Sequence, residues 1–574
     1  MSGILERCSP RMRRGGIALA LALGLAFLLW RAPYGFCFND ESFCMTLAQR
    51  LWQGDALIVD EWHGTQNFGA VLLPVYALHR LIAGSNEGVL LFSRLVYCVL
   101  WWAVCAVVWH TIRSRRYPGG VFVFFYLILF SPLDCLTLSY TSVGLMCVLL
   151  LACLLLRLPA RAPLGGGWLA APFSALWVVL VLCCPTMAVA YLLLPVLALA
   201  GSRWERRQDQ SRYFSNLLAL YRPSLALVAA AAALYLFLFL FSRAAPTQAL
   251  RSLPYLFQDP EHQGLSLFSA LLALPLSLLQ LNPWYLCVAV AVFLLGFMPA
   301  ARRFRLPFFL LCAGAYLAAQ TLYCLRQVYI SFNHQMLYIV FLGAAALSLL
   351  EHRPRKLCFA FCLPSLLYSV LNSLVSNTGV MALAMALVPT GACGIVCILL
   401  LAEELRGQAA LPAALRQLVC AAVCAVLLLQ PASQLYTHLS RVYWDSSIRQ
   451  LTAIIPAGCA QGLRTTPDQA ATYETTLGEL RQLLSGAEGG GRRFLSLTSA
   501  PWIYLDADLP FATFSAWSFG YGDGLADRIQ DYQTVTPNAV PDLIFAASGE
   551  DLLPDLCAGY AEHTCGGAYL YTRR

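Results

Sequence analysis

The stretch Phe38-Asn39-Asp40-Glu41-Ser42-Phe43-Cys44-Met45-Thr46-Leu47-Ala48-Gln49-Arg50-Leu51-Trp52-Gln53-Gly54 decides how the chain is read. Phe43, Leu47 and Leu51 recur at helical spacing with Cys44 and Ala48 beside them, while Ser42, Thr46, Gln49, Arg50 and Gln53 fall on other faces. That pattern predicts an amphipathic helix lying along a membrane surface, with two carboxylates at its start. A second acidic pair follows in Asp60-Glu61-Trp62-His63-Gly64-Thr65-Gln66-Asn67-Phe68-Gly69. Together they form the densest group of titratable side chains beside any apolar run.

Working outward, the 574 residues are 59% hydrophobic and only 12% charged, with mean hydropathy +0.66. That charge content is about half the ~25% of soluble proteins, so the chain is a polytopic membrane protein. The net charge of +8 comes almost wholly from arginine, since Lys356 is the only lysine. The arginines gather in short turns between apolar runs rather than on one face, which excludes nucleic acid as a partner.

Arg7, Arg11, Arg13 and Arg14 precede the apolar run 17–30, predicting an uncleaved anchor that starts in the cytoplasm. Basic turns at 113–116, 157–161, 203–207, 301–305, 352–356 and 406–416 alternate with outer turns. The run 168–200 breaks at Cys183-Cys184-Pro185-Thr186 into two short helices. Roughly thirteen spans result by the ~20-residue rule. They place Asp40, Glu41, Asp60, Glu61, His63, Asp134, Arg243, Arg251, Arg326, His334 and Asn377 at one extracytoplasmic face.

From 433 the composition turns polar. Thr465-Thr466-Pro467-Asp468 marks the start of a helix running to about Leu484, and a second helix is expected near 526–532. Residues 493–498, 542–546 and 568–572 read as strands. The predicted organisation is therefore a mainly helical transmembrane domain, 1–432, with an outer loop at 34–87, followed by a small extracytoplasmic α/β domain, 433–574. Most of the 22 cysteines lie inside apolar runs as small buried hydrophobes, no paired CxxC spacing suggests zinc, and Cys557 with Cys565 is a possible disulfide. Asp60, Glu61 and His63 offer ligand types for a divalent cation, with solvated polar residues as the plainer reading.

One amino-terminal span, an Asp-Glu pair directly after it, a helix ending at Gly54-Asp55, a second acidic segment, an apolar helix ending at Gly84 and Arg94 in the next span make a familiar order. It resembles the GT-C glycosyltransferases that use polyprenyl-phosphate sugars, in particular the protein O-mannosyltransferases and lipid A aminoarabinose transferases. The resemblance implies transfer of a sugar, with inversion, from a polyprenyl-phosphate donor to an envelope glycan, lipid or protein acceptor. It also implies that Asp40 acts as base or orienting carboxylate with Glu41 beside it, and that Asp60, Glu61, His63 and Asp134 bind substrate. Arg243, Arg251 and Arg326 would hold the departing phosphate. The chain departs from the aminoarabinose transferases at Gln66-Asn67-Phe68-Gly69, where those enzymes carry Lys-Pro-Pro.

The competing class is a transporter or lipid flippase, which would show an internal repeat with paired broken helices or charges near the bilayer midplane. The sequence has no such repeat, and its acidic groups cluster outside the spans. The arginine-rich, lysine-poor usage points to a GC-rich, bacterial source.

Overall fold

The computed structural model describes residues 10–130, 136–159, 167–208, 212–258, 355–373, 385–407, 412–440, 445–487, 492–518, 521–536 and 539–574, with a few single positions between. Helix α1 spans Pro10–Arg31, α2 Asp40–Gln53, α3 Phe68–Ala83, α4 Val89–Ser114, α5 Gly120–Ile128 and α6 Tyr140–Arg157. After the basic turn come α7 (Ala170–Cys183), α8 (Met187–Gln208), α9 (Tyr213–Leu236, prolonged by a π-turn Phe237–Phe241) and the short α10 (Pro246–Ser252). Helices α11 (Arg355–Ser373), α12 (Val388–Gly407) and α13 (Ala413–Ser440) complete the described part of the array.

Among the described residues, α1, α4, α6, α9 with its π-turn, α11 and α13 are long and apolar enough to cross a membrane. The chain is a multi-pass membrane protein. Helix α5 has only nine residues, about 14 Å of rise, so it is too short to be the span expected there. The break in 168–200 falls where Cys183-Cys184-Pro185 predicts it, between α7 and α8. The expected spans between 259 and 354 lie outside the described residues apart from single positions.

The carboxy-terminal region is built from the expected pieces. Thr466 caps α14 (Pro467–Gly486) by accepting from the Gln469 N–H, with proline at the first helical position. Strands β1 (Ala453–Ile454) and β2 (Arg464–Thr465) pair as a short antiparallel ladder before it. A four-stranded sheet follows from β3 (Phe494–Ser496), β4 (Leu543–Ala546), β5 (Tyr560–Cys565) and β6 (Ala568–Arg573), in the order β3-β4-β6-β5. β3 runs parallel to β4 and the other pairs are antiparallel. Helices α15 (Trp502–Ala507) and α16 (Leu525–Val535) lie between β3 and β4, and α17 (Pro554–Cys557) precedes β5. Cys557 and Cys565 are free thiols.

The largest correction concerns α2. An amphipathic helix on a membrane surface should leave its polar face wet, yet every residue from Glu41 to Leu51 is buried. The reason is a cover supplied from far along the chain. One apolar core runs from α4, α6, α11 and α12 through Phe43, Leu47 and Ala48 of α2 to Tyr473, Trp502 and Phe511. Gly69 allows α3 to close on the other side, because a Cβ there would meet the Leu47 carbonyl oxygen at 2.7 Å.

Candidate functional site

The start of α2 is delivered by residues 33–37, which pass beside the carboxy-terminal region and form a single β-bridge, Tyr34 to Arg464. Arg464 N donates to Pro33 O at 2.7 Å and Gly35 N donates to Arg464 O at 2.8 Å. The Phe36 N–H donates to Asp445 Oδ2 at 2.9 Å, and the same oxygen accepts from Thr465 Oγ1 at 2.8 Å. Burial raises the Asp445 carboxyl above its ordinary range against these hydrogen bonds. Asn39 makes no side-chain cap, so Asp40 and Glu41 are the acidic residues of the first turn, where the helix dipole favours negative charge.

The two carboxylates have different surroundings. Arg94 donates from Nε and Nη2 to Glu41 Oε1 and Oε2, both at 2.6 Å. Its Nη1 donates to the carbonyls of Ala32 (2.9 Å) and Tyr34 (3.2 Å), so one guanidinium joins α4, the end of α1 and the start of α2. Glu41 and Arg94 are 2% and 1% exposed. Asp40 is half-buried and lies 3.9 Å from the Cys37 thiol, which donates to its Oδ2. Burial, reinforced by the Asp40 charge, pushes that thiol up to about 12 and keeps it a donor.

A second buried guanidinium organises the other end of α2. Arg50 donates to Asp55 Oδ2 at 2.8 Å, to Glu61 Oε2 at 3.0 Å and to Thr513 O at 2.8 Å, and it also donates to the Asp60 carbonyl. Phe511 covers its face at 4.8 Å. Burial raises Asp55 to about 6 and raises Glu61 as well, in each case against the pull of Arg50. Gly54 ends the helix with φ +102°, a conformation that glycine adopts without strain.

Asp60, Glu61 and His63 diverge. Asp60 accepts from the Ala56 N–H at 2.7 Å and the Tyr532 hydroxyl at 3.4 Å, while Glu61 turns to Arg50 and to its own His63 N–H at 3.0 Å. The His63 Nδ1 lies 2.7 Å from Thr65 Oγ1, with its ring edge-on to Phe43 at 4.8 Å and near Trp517. Phe43 is one helical turn after Asp40, so Asp40, Phe43 and the His63–Trp517 pair belong to the same side of α2. Trp62 turns away and stacks on Tyr255 at 4.4 Å beneath Arg528.

Of the three arginines, Arg243 donates from Nη1 to the Leu51 and Asp55 carbonyls, both at 2.8 Å, thereby capping the end of α2. Arg251 is exposed on α10. Asp134, Arg326, His334 and Asn377 lie outside the described residues. The site also contains Arg50, Asp55 and Asp445, for which the sequence reading assigned no role. An arginine in the last turn of a helix, five residues before an aspartate and beyond a terminating glycine, is the signal that could have linked the first two.

The carboxy-terminal region closes over this assembly. Gln49 Nε2 donates to the Tyr504 carbonyl at 3.1 Å, Asn86 Nδ2 to Leu505 O at 2.7 Å, and Arg80 pairs with Asp508 at 2.7 Å. No protein-family model matches the chain. No curated protein matches it. Among solved structures, the chain is similar over 97% of its length, and 98% of the other chain, to ArnT from Cupriavidus metallidurans in a crystal structure bound to undecaprenyl phosphate, at 10% sequence identity and a TM-score of 0.45.

Proposed function

We propose that this protein is a membrane glycosyltransferase that moves a sugar from a polyprenyl-phosphate donor to an acceptor on the extracytoplasmic side, at the start of α2. The observation that carries the proposal is the division of labour between adjacent carboxylates. Glu41 is spent on Arg94 and fixes the helix start, while Asp40 stands half-exposed at the same turn. A base for an acceptor hydroxyl or amide must be reachable and held in place, and the partly exposed Asp40, on the helical turn that Glu41 and Arg94 anchor, is the carboxylate we assign to that role.

In this reading an Asp40 oxygen takes the proton as the acceptor attacks the anomeric carbon. The bond from that carbon to the phosphate oxygen breaks, the polyprenyl phosphate leaves with the electron pair, and the anomeric configuration inverts. Arg251, exposed on α10, and Arg326 stabilise the departing phosphate. Arg243 acts through the carbonyls it caps, and Asp60 and Glu61 hold the loop that presents His63 to the sugar. The donor, an envelope glycan, lipid or protein acceptor, and membrane lipids are the expected partners. The reading puts the protein in a bacterial cell membrane, with its amino terminus on the cytoplasmic side and its carboxy-terminal region on the extracytoplasmic side.

The test is transfer in proteoliposomes from a panel of polyprenyl-phosphate sugars to envelope acceptors, comparing wild type with Asp40→Asn. The amide keeps the shape of the carboxylate and removes its basicity. Turnover is expected to fall by about 10²- to 10⁴-fold with thermal stability unchanged. Equal turnover in the two proteins removes Asp40 from the chemistry.

A further inference from the structure

Cys358 and Cys362 lie four residues apart on α11, and Cys393 and Cys397 lie four apart on α12, so each pair shares one helix face. The two faces meet. Cys393 Sγ is 3.7 Å from Cys358 Sγ and 4.0 Å from Cys397 Sγ, and the Sγ atoms of these three all fall within 4.8 Å of one another. Cys362, one helical turn after Cys358 on the same face of α11, lies beside this trio but outside it. All four thiols are buried.

We propose that these four cysteines form a structural zinc site. Four thiolates bound tetrahedrally at about 2.3 Å have sulfurs about 3.8 Å apart. Cys358 and Cys393 at 3.7 Å, and Cys393 and Cys397 at 4.0 Å, already stand at that spacing, and Cys362, one turn along α11 from Cys358, closes in on the trio as the fourth ligand when the ion binds. The set offers only soft donors and no carboxylate, which selects zinc over magnesium or calcium. With all four positions supplied by protein, no place remains for a water or substrate, so the ion ties α11 to α12 and takes no part in turnover. Binding converts four thiols to thiolates and releases their protons.

The surroundings fit the excess negative charge of such a centre. Lys356, two residues before Cys358, donates to the Leu158 carbonyl, and Arg115 lies near both Lys356 and Tyr117. Tyr117 lies within electrostatic reach of Cys358, Cys393 and Cys397, and Thr390 Oγ1 donates to Ser365 Oγ at 3.0 Å between the two helices. These groups provide an outer shell at the basic end of the bundle. That end is far from α2: α4 begins beside Gly458 and ends beside Tyr117, a rise of about 39 Å over its 26 residues.

The test is elemental analysis of the full-length protein purified in detergent without chelators or metal-affinity resin. Wild type is expected to hold about one zinc per chain, Cys358→Ser/Cys393→Ser to lose at least nine-tenths of it, and Cys105→Ser to keep it. If the double variant fails to fold, exchange of wild type with Co²⁺ decides, because a tetrathiolate site gives intense sulfur-to-cobalt charge-transfer absorption. The proposal is overturned by wild type holding less than about 0.1 zinc per chain after incubation with excess Zn²⁺. A folded double variant that retains its zinc, or a wild-type mass showing these cysteines as disulfides, overturns it equally.

Discussion

At one end of the helical array, Glu41, Arg94, Arg50, Asp55 and Glu61 are buried in hydrogen-bonded ion pairs. At the other, α11 and α12 face each other through Cys358, Cys393 and Cys397, uncharged side chains whose only polar atom is sulfur. The charged end joins segments remote in sequence, such as Arg50 and Thr513, separated by 463 positions. The sulfur end joins Cys358 and Cys393, 35 positions apart. Buried ion pairs add little net stability over apolar packing, yet a lone survivor of a pair is costly, so they specify one arrangement of distant parts. A bound metal contributes folding energy outright and holds neighbours together without long-range information.

The sharpest way to break this contrast is Glu41→Ala. It leaves the Arg94 guanidinium buried without its carboxylate, and is expected to destabilise the protein by about 3–5 kcal/mol in denaturant or thermal unfolding. Zinc content should be unchanged, because the cysteines lie at the far end. An unaffected melting temperature would show that the pair does not organise α2.

A smaller effect concerns Asp506, half-buried on α15, which accepts from Tyr473 Oη and the Cys459 N–H, both at 2.7 Å. Burial is the largest influence and raises its carboxyl from 3.8 to about 6, outweighing those hydrogen bonds. The folded state therefore holds the proton more tightly than the unfolded one. Stability from this group is greatest below about pH 4, falls as pH rises from 4 to 6, and is level above, a change of about 3 kcal/mol at most. Thermal unfolding measured across pH 4–7 should show that slope in wild type and a flatter profile in Asp506→Asn. Identical profiles would rule out Asp506 as its source.

The smallest expected change in stability belongs to Arg251→Ala. As an exposed residue it should alter stability by no more than about 0.5 kcal/mol. If it faces the donor phosphate, KM for the donor rises by up to about tenfold with little change in kcat. A loss of stability above about 1 kcal/mol would make it a structural anchor instead.

Much of this was legible locally. Thr466-Pro467 marks the start of α14, Gly54 ends α2, and the strand runs near 494, 543 and 568 appear where alternation and turn residues put them. Strand β5 escaped because Ala561, Glu562, His563 and Thr564 lack an apolar stripe, being paired only to β6 at the sheet edge. The burial of α2 was not readable, because periodicity records that a helix has a polar face, whereas its cover comes from Tyr504 and Thr513. Glu41 and Asp40 look equivalent in sequence, and only the position of Arg94 separates them. The four cysteines were masked by their apolar context and by a spacing of three intervening residues, which carries a metal signal only once two helices are known to face each other.

The passage of residues 33–37 beside Asp445 and Arg464 also bears on biosynthesis. Phe36 and Asp445 are separated by 409 positions, so the segment that sets the first turn of α2 must wait for most of the polypeptide to be made. At roughly 5–20 residues per second that wait is on the order of 20–80 s. During it the acidic pair Asp40-Glu41 lacks the carboxy-terminal part of its setting. The buried arrangement of α2 is therefore complete only after the last quarter of the chain has arrived.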